Sequence, residues 1–314
     1  MTSIMSTPLR YNIKEKPEEF YVKELIDLPL IEDGKYFYYL LRKRSLNTLD
    51  AIKILNRMFN LKEIGYCGNK DKNAITEQYI SINKRIKDFK EENLNLEFVG
   101  RGDKRLNLGD NKGNYFKIKI KNFRGEINKF DFIENYFDEQ RFSKQNHLVG
   151  KYLIKKEFKK ACELLDLEVK TDYVNALKKL NKKELLIYLH AYQSYLFNKH
   201  LSEYLKDYPN FKVDYSLGDF VFLKKRIKNF KIPLASFDTE EKIYDQLLKE
   251  EGICLNDFAI KQFPELVNET TYRDAFADIQ NLKIKDNEIE FELSKGSYAT
   301  IVIKKLFSPA KKTS

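Results

Sequence analysis

Short segments in which hydrophobic and polar residues alternate are frequent in the first 120 residues, and this period of two predicts β-strands. In the clearest segment Phe116, Ile118 and Ile120 alternate with lysines, which predicts a half-buried antiparallel strand with a basic outer face. A similar alternation starts at Phe20, and Pro17 places a boundary before it. Further strands are predicted at 36–41, 63–67, 74–82 and 94–99.

Hydrophobic residues that recur every three to four positions predict helices in other segments. Ile52, Leu55 and Phe59 have this spacing behind Asn47 or Thr48, and either polar residue can cap a helix that ends near residue 60. Past residue 147 the helical patterns are longer, at 151–165 and 183–206, and we interpret the apolar stripe of the second as packing. The remaining predicted elements are a strand at 219–223, a helix near 239–250 and two strands at 288–293 and 298–306.

One polar turn stands out between these elements because it presents a single acid. Asp71 lies between Lys70 and Lys72, and Gly68 and Asn69 break the chain just before it. Two ammonium groups favour the ionised form of a neighbouring carboxylate, which suits a nucleophile better than a general acid. The alternative is a solvated loop of alternating charge.

Length and charge narrow the class of protein. The 314 residues exceed the roughly 100 to 200 of a typical domain, so we expect two lobes that each bury a core. Lysine and arginine number 57 against 47 acidic residues, and the formal charge of +10 indicates a polyanionic partner. The 23 Phe and 20 Tyr could also stack on unpaired bases. A polar loop at 100–113 could contact phosphates or be solvated surface, and its basic residues are Arg101, Lys104, Arg105 and Lys112.

Other classes of site find no support in the sequence. Cys67, Cys162 and Cys254 are isolated, which predicts reduced thiols and a cytoplasmic protein, and the three histidines have no metal-ligand spacing, so we expect no metal. No apolar run approaches the roughly 20 residues of a membrane helix, so we expect no membrane association. The segment N-K-D-K resembles part of a guanine-recognition motif, but a phosphate-binding loop is missing, as is any dinucleotide motif, and we expect no cofactor.

The turn around Asp71 resembles the G-x-K-D-x-x-A-x-T-x-Q signature of the TruD family of tRNA pseudouridine synthases. Three later segments resemble further blocks of that family in the same order, so the resemblance covers nearly the whole chain. They are N-Y-F-D-E-Q-R-F-S at 135–143, H-A-Y-Q-S-Y-L-F-N at 190–198 and L-S-K-G-S-Y-A-T at 293–300. Two departures occur in the first of these segments, where Asp138 and Ser143 replace family glycines. If those glycines need a positive φ, the loop is reshaped here.

The resemblance implies an α+β fold in which a mixed, mainly antiparallel sheet with flanking helices forms the catalytic domain. We expect this domain at 8–148 and 272–308, with an inserted α/β TRUD domain at 149–271. Residues 1–7 and the basic tail at 309–314 are expected to be disordered.

The resemblance also implies the roles of individual residues. Asp71 is the catalytic residue, Phe20 and Tyr298 lie beside the target uridine, and Lys14 lies near the catalytic carboxylate. Asn135 contacts the nucleotide, and Arg141 holds the site or the RNA backbone. We add Lys70 to these substrate-binding residues.

The function implied is isomerisation of a uridine to pseudouridine in transfer RNA, most often at position thirteen of the D-arm, after the nucleotide is flipped out. The sequence leaves open whether Asp71 attacks C1′ or C6, and it gives no oligomeric state. The rival hypothesis is a catalytically silent protein that binds or folds tRNA on the same scaffold.

Overall fold

The computed structural model describes residues 11–123, 125–170, 172–239 and 242–308. The termini predicted to be disordered, 1–7 and 309–314, lie outside the described residues. The helices are α1 Thr48–Phe59, α2 Asn146–Ile154, α3 Phe158–Leu164, α4 Tyr173–Lys178, α5 Lys182–Leu205, α6 Asp245–Glu251 and α7 Ala299–Phe307. The strands are β1 Phe20–Leu25, β2 Tyr36–Arg44, β3 Gly65–Tyr66, β4 Ile75–Ile82, β5 Phe89–Lys90, β6 Leu94–Gly102, β7 Gly113–Lys119, β8 Phe132–Glu134, β9 Asn210–Tyr215, β10 Gly218–Leu223, β11 Lys231–Pro233, β12 Tyr272–Asp274, β13 Phe276–Asp278, β14 Gln280–Lys285 and β15 Glu288–Ser294.

Within the described residues, nine strands form one sheet in the order β14-β15-β7-β1-β4-β2-β6-β5, with β3 paired to β4. β1 and β4 are parallel and the other neighbours are antiparallel, so the expected mixed, mainly antiparallel sheet is confirmed. The alternation in β7 also has the predicted consequence, since Phe116 and Ile118 are buried and Lys119 is exposed.

Two hydrophobic cores lie side by side on the same face of this sheet, because the register places Val22 of β1 and Lys43 of β2 both opposite Thr76 of β4. The smaller core includes Tyr39, Leu41 and Ile80 and is closed by α1, whose predicted bounds are confirmed. Asn47 caps this helix by accepting a hydrogen bond from the Asp50 backbone N–H at 2.8 Å.

The larger core extends from the β1, β7 and β15 part of that same face into the helical middle of the chain. It joins Phe20 and Phe116 of the sheet to Phe263 and to α5, on which Leu189 and Leu196 are buried as the stripe predicted. The larger core is therefore shared by the sheet and the helical middle of the chain, while the smaller core belongs to the sheet and α1 alone. The boundaries proposed for the insertion stay a prediction.

Two predicted elements are wrong. The segment 298–306, predicted as a strand, forms the helix α7, and the continuous helix predicted at 151–165 is two helices, α2 and α3, broken between Lys155 and Glu157. The β-branched residues 300–303 of α7 are typical of a strand. In a short apolar run of this kind, periodicity does not distinguish a buried helix from a buried strand. Lys304 and Lys305 are buried in α7 as well. With helices packed on a mainly antiparallel sheet, the α+β class is confirmed.

Candidate active site

The Asp71 turn, residues 67–74, connects β3 to β4, and side chains from α1 and β4 fix its backbone. Thr48 Oγ1 accepts a hydrogen bond from the Lys70 backbone N–H at 2.9 Å and donates one to Gln78 Oε1 at 2.8 Å. Gln78 in turn donates to the Gly68 carbonyl at 3.1 Å. The turn is thus held from two elements, which gives Asp71 a defined position.

A buried lysine also fixes the backbone of the Asp71 turn by hydrogen bonds to its carbonyl groups. Lys43, at the end of β2, is 2% exposed, and its ammonium donates to the carbonyls of Leu46 at 2.6 Å, Asp71 at 2.9 Å and Lys70 at 3.3 Å. Burial lowers the pKa of Lys43 to about 8, although the nearby Asp71 carboxylate favours the charged form. The three carbonyls use the three N–H donors of the charged ammonium.

Asp71 itself is paired with a cation that is distant in sequence. Lys14 Nζ lies 2.6 Å from Asp71 Oδ2, and the two side chains are 22% and 35% exposed. The same ammonium lies 3.8 Å from the centre of the Phe20 ring. Lys14 has φ +60°, a conformation that costs a non-glycine residue on the order of 1–3 kcal/mol and is found mostly at functional sites.

Lys70 does not place its charge on Asp71. Its ammonium points into the sheet and lies 2.6 Å from Glu24 Oε1, and both side chains are nearly fully buried. Lys72 is exposed. The cation in contact with Asp71 is therefore Lys14, and Lys70 anchors the turn to β1; its assignment to substrate binding stays a prediction.

A cleft of about 240 Å³ opens in front of Asp71. Its floor is formed by β1 and β7, and its other wall by the segment that enters α7. The lining residues are Lys14, Phe20, Val22, Asn69, Lys70, Asp71, Asn114, Phe116, Asp138, Gln140, Gly296, Ser297, Tyr298, Ala299 and Thr300. Phe20 both packs in the core, at 2% exposed, and lines this cleft.

Tyr298 lies at the N-cap of α7, on the side of the cleft away from the sheet. Its ring centre is 6.1 Å from that of Phe137. Burial raises the pKa of Tyr298 above its usual value, against the opposing effect of Arg141 and Arg273. The phenol is therefore protonated at neutral pH.

Asn135 and Arg141 do not line the cleft but lie behind its wall. Asn135 Oδ1 accepts hydrogen bonds from Arg273 at 2.7 Å and from Ser297 Oγ at 3.1 Å. Arg141 donates a long bond of 3.4 Å to Ser194. Both residues can thus position the wall, while their predicted contacts with nucleotide or backbone stay predictions.

Arg273 is a residue of the wall that the sequence did not single out. Its guanidinium donates to the Asn135 backbone carbonyl and the Gly296 carbonyl, both at 2.8 Å, and lies 4.2 Å from the Phe137 ring centre. Burial lowers the pKa of Arg273 to about 10, so it stays charged at neutral pH. It ties β12 to the turn before α7 and so closes the cleft.

The two residues that replace family glycines do not strain the backbone. Asp138 has φ −77°, and Ser143 is not among the residues with positive φ; the left-handed conformation occurs instead at Gln145, with φ +59°. Asp138 instead pairs with the buried Lys304 of α7 at 3.2 Å. Neither residue therefore has the positive φ that would strain it, and the expected reshaping of the loop relative to the family stays a prediction.

The polar loop at 100–113 gives no support to the expected phosphate contacts. None of its four basic residues lines the cleft, and Arg101 belongs to β6. Each is paired with an acid, Arg101 with Asp33, Lys104 with Asp110, Arg105 with Glu63 and Lys112 with Asp27. These charges are already balanced within the protein.

Lys43 and Glu24 were missed although a signal for them exists in the sequence. Lys43 continues the buried face of β2 after Tyr39 and Leu41, and Glu24 continues that of β1 after Val22. A charged residue at such a position must be paired when it is buried, which marks it for a structural or functional role. Arg273 has no comparable signal.

The described ranges, 11–123, 125–170, 172–239 and 242–308, contain neither a candidate metal site nor a candidate membrane span. No cluster of three or more His, Cys, Asp or Glu could hold a metal ion there. In the same ranges, each helix is too short or too polar to cross a membrane.

Comparisons with known proteins agree on one family. Its model, described as tRNA pseudouridine synthase D (TruD), matches residues 4–168, 164–234 and 228–306. A probable tRNA pseudouridine synthase D of Nanoarchaeum equitans is 34% identical, and the alignment covers 94% of this chain and 98% of that protein. The tRNA pseudouridine synthase D of Aquifex aeolicus is 32% identical, with 94% and 97% covered.

A solved structure shares the fold. The crystal structure of the putative tRNA pseudouridine synthase D (TruD) from Methanosarcina mazei aligns with a TM-score of 0.64 at 23% identity. The alignment covers 98% of this chain and 95% of that one, so the shared fold extends over the insertion as well as the sheet.

Proposed function

Because this chain belongs to the tRNA pseudouridine synthase D (TruD) family, we propose that it isomerises a uridine of transfer RNA to pseudouridine with Asp71 as the nucleophile. The observation that supports Asp71 most directly is its position at the mouth of an aromatic-lined cleft, with Oδ2 held 2.6 Å from Lys14 Nζ. The Lys14 ammonium fixes one oxygen of the Asp71 carboxylate, and the other oxygen attacks the substrate.

The reaction balances without a further reactant. The C1′–N1 bond breaks, the base turns, a C1′–C5 bond forms, the C5 proton leaves and N1 gains a proton. We therefore propose that no cofactor takes part. Attack by Asp71 at C1′ or at C6 satisfies the same balance.

Two aromatic side chains around Asp71 have proposed roles. Phe20 contacts the flipped-out base from the floor of the cleft, and Tyr298 faces it from the opposite wall. Since the Tyr298 phenol is protonated, it assists removal of the C5 proton as a hydrogen-bond donor rather than as the base. Extrusion of a nucleotide costs on the order of a few kcal/mol, which such stacking offsets.

The uridine that we propose as the target is position thirteen of the D-arm, in tRNA of the cytoplasm. The proposal for this position rests on the family resemblance of the four sequence blocks. Shape and backbone recognition suit a structured RNA.

The test is to map pseudouridine in unmodified tRNA transcripts by carbodiimide-dependent reverse-transcription stops. We expect a stop at one D-arm uridine with the wild-type protein and without added cofactor. Asp71→Asn should slow the reaction by more than roughly 10⁴-fold, as loss of a nucleophile does in other covalent enzymes, with tRNA binding retained. Asp33→Asn, at a surface ion pair with Arg101, is the matched control and should keep full activity.

Two outcomes would contradict the proposal. If the wild-type protein binds tRNA but produces no stop in any transcript, it is a silent RNA-binding protein. If Asp71→Asn is as active as Asp33→Asn, another group is the nucleophile.

A further inference from the structure

One polar side chain in the cleft has an acceptor without a partner in the protein. Asn114 lies on β7, and its Oδ1 is enclosed and accepts no hydrogen bond from the described residues. A buried amide oxygen without a partner costs free energy, so such an atom usually has a ligand or a water.

Asn114 lies where the target base would bind, on the floor of the cleft. Neighbouring positions of one strand face are two residues apart, so Asn114 and Phe116 lie side by side on the floor of the cleft. Other polar groups of the lining are engaged: Lys70 with Glu24, Asp138 with Lys304, and Ser297 with Asn135. Among the half-buried and buried polar groups of this lining, Asn114 has a side-chain oxygen that is enclosed and has no hydrogen-bond partner in the described residues.

The chemistry of the turning base gives this acceptor a specific use. A uracil ring that turns by half a revolution about the axis through N3 and C6 exchanges N1 with C5 and O2 with O4. The N3–H group lies on that axis and keeps its place. An acceptor aimed at N3–H can therefore hold the base before the C1′–N1 bond breaks and after the C1′–C5 bond forms.

We propose that Asn114 Oδ1 accepts a hydrogen bond from N3–H of the target uracil and serves as the fixed point about which the base turns. This inference rests on the proposed function.

The test compares the rates of two proteins on two RNA substrates, in the manner of a double-mutant cycle. Wild-type protein and Asn114→Ala are each assayed on a transcript with uridine or N3-methyluridine at the target position. We expect the methyl group to slow the wild-type enzyme by roughly 10-fold or more, since it removes the donor and meets the amide. In Asn114→Ala the same methyl group should cost at most a few-fold, because both the acceptor and the obstruction are gone.

Two further variants separate binding from structure. Asn114→Asp keeps an oxygen acceptor and should retain the discrimination against N3-methyluridine. Asn95→Ala removes an amide on β6 whose Oδ1 is also buried without a partner but lies outside the cleft, so its discrimination should equal that of the wild type.

The outcomes are distinguishable from those of the proposed function. Absence of pseudouridine with wild-type protein would contradict the function itself. An active wild-type enzyme with equal discrimination in Asn114→Ala would overturn the role of Asn114 alone. If Asn95→Ala lost as much discrimination against N3-methyluridine as Asn114→Ala, the effect would be due to the stability of the sheet. That outcome would also overturn the role of Asn114.

Discussion

Lys43 shows how a single buried charge can control a catalytic loop without touching the substrate. It lies under the Asp71 turn and does not line the cleft. Its three hydrogen bonds to main-chain carbonyls fix the direction in which the Asp71 side chain leaves the backbone. A shift of about 1 Å at such a residue is sufficient to reduce a rate by roughly 100-fold.

We predict that activity declines above about pH 8 because Lys43 then loses its proton. Below this pKa the ammonium donates to all three carbonyls; above it the neutral amine has two donors, and its lone pair faces an acceptor. Burial is the main cause of the low pKa, Asp71 favours the charged form and Lys70 disfavours it. Lys43→Met should lower kcat by roughly 10- to 100-fold with little change in KM, and the measurement is kcat against pH.

The controls use other cations. Lys43→Arg keeps its charge at alkaline pH, so its alkaline decline should move upward. Lys23→Met, on the exposed face of β1, should behave as the wild type. An unchanged decline in Lys43→Arg would show that another group titrates.

Among the elements, α7 has the largest effect on the architecture of the site. Its N-terminus presents Tyr298 to the cleft, and farther along Lys305 forms a buried ion pair with Glu134 of β8. Lys305 Nζ lies 3.0 Å from Glu134 Oε2, and Glu134 Oε1 also accepts from the Leu223 backbone N–H at 2.8 Å. This pair connects α7, β8 and β10.

We predict that Glu134→Gln lowers the free energy of unfolding by about 3–5 kcal/mol, because it leaves the Lys305 ammonium buried without a carboxylate. The amide keeps the acceptor for Leu223, so the change isolates the charge. Adding Lys305→Met should recover most of the loss. Urea denaturation of the two single variants and the double variant measures the coupling.

A surface pair provides the comparison. Glu288→Gln breaks the pair with Lys117, in which both side chains are about 40% exposed, and should cost at most about 1 kcal/mol. Equal losses in Glu134→Gln and Glu288→Gln would contradict the role given to the buried pair.

At the scale of the whole molecule, the shared core packs the sheet and the helical middle of the chain together. The larger core contains residues from β1 and β7 as well as from α5 and the segment around Phe263. A continuous core of this kind favours cooperative unfolding.

We predict a single unfolding transition in urea. The chain has no tryptophan, so Phe98→Trp introduces one fluorophore beside the smaller core, far from the insertion in sequence. Phe263→Leu, at a fully buried position of the insertion, is then added to this variant. The second change should lower the urea midpoints of the far-UV circular dichroism and of the tryptophan fluorescence together, with a loss of roughly 1–3 kcal/mol in stability. Two separate transitions, with the fluorescence midpoint unchanged, would show independent domains.

The sequence by itself determined the features that depend on near neighbours. The N-capped helix α1, the alternating strand β7 and the turn that presents Asp71 follow from spacings of two to four residues and from local turn chemistry. The sequence also supplied the family resemblance, and through it the expectation that Lys14 and Tyr298 lie near Asp71.

Tertiary structure decided which charged residues form ion pairs. It also decided whether an apolar segment forms a helix or a strand. Lys70 is adjacent to Asp71 in sequence yet pairs with Glu24, while the contacting cation is Lys14, 57 residues away. The run before Phe307 is a helix, and its two lysines are buried in ion pairs, Lys304 with Asp138 and Lys305 with Glu134. Such pairings depend on the distance between elements after packing, which local periodicity does not contain.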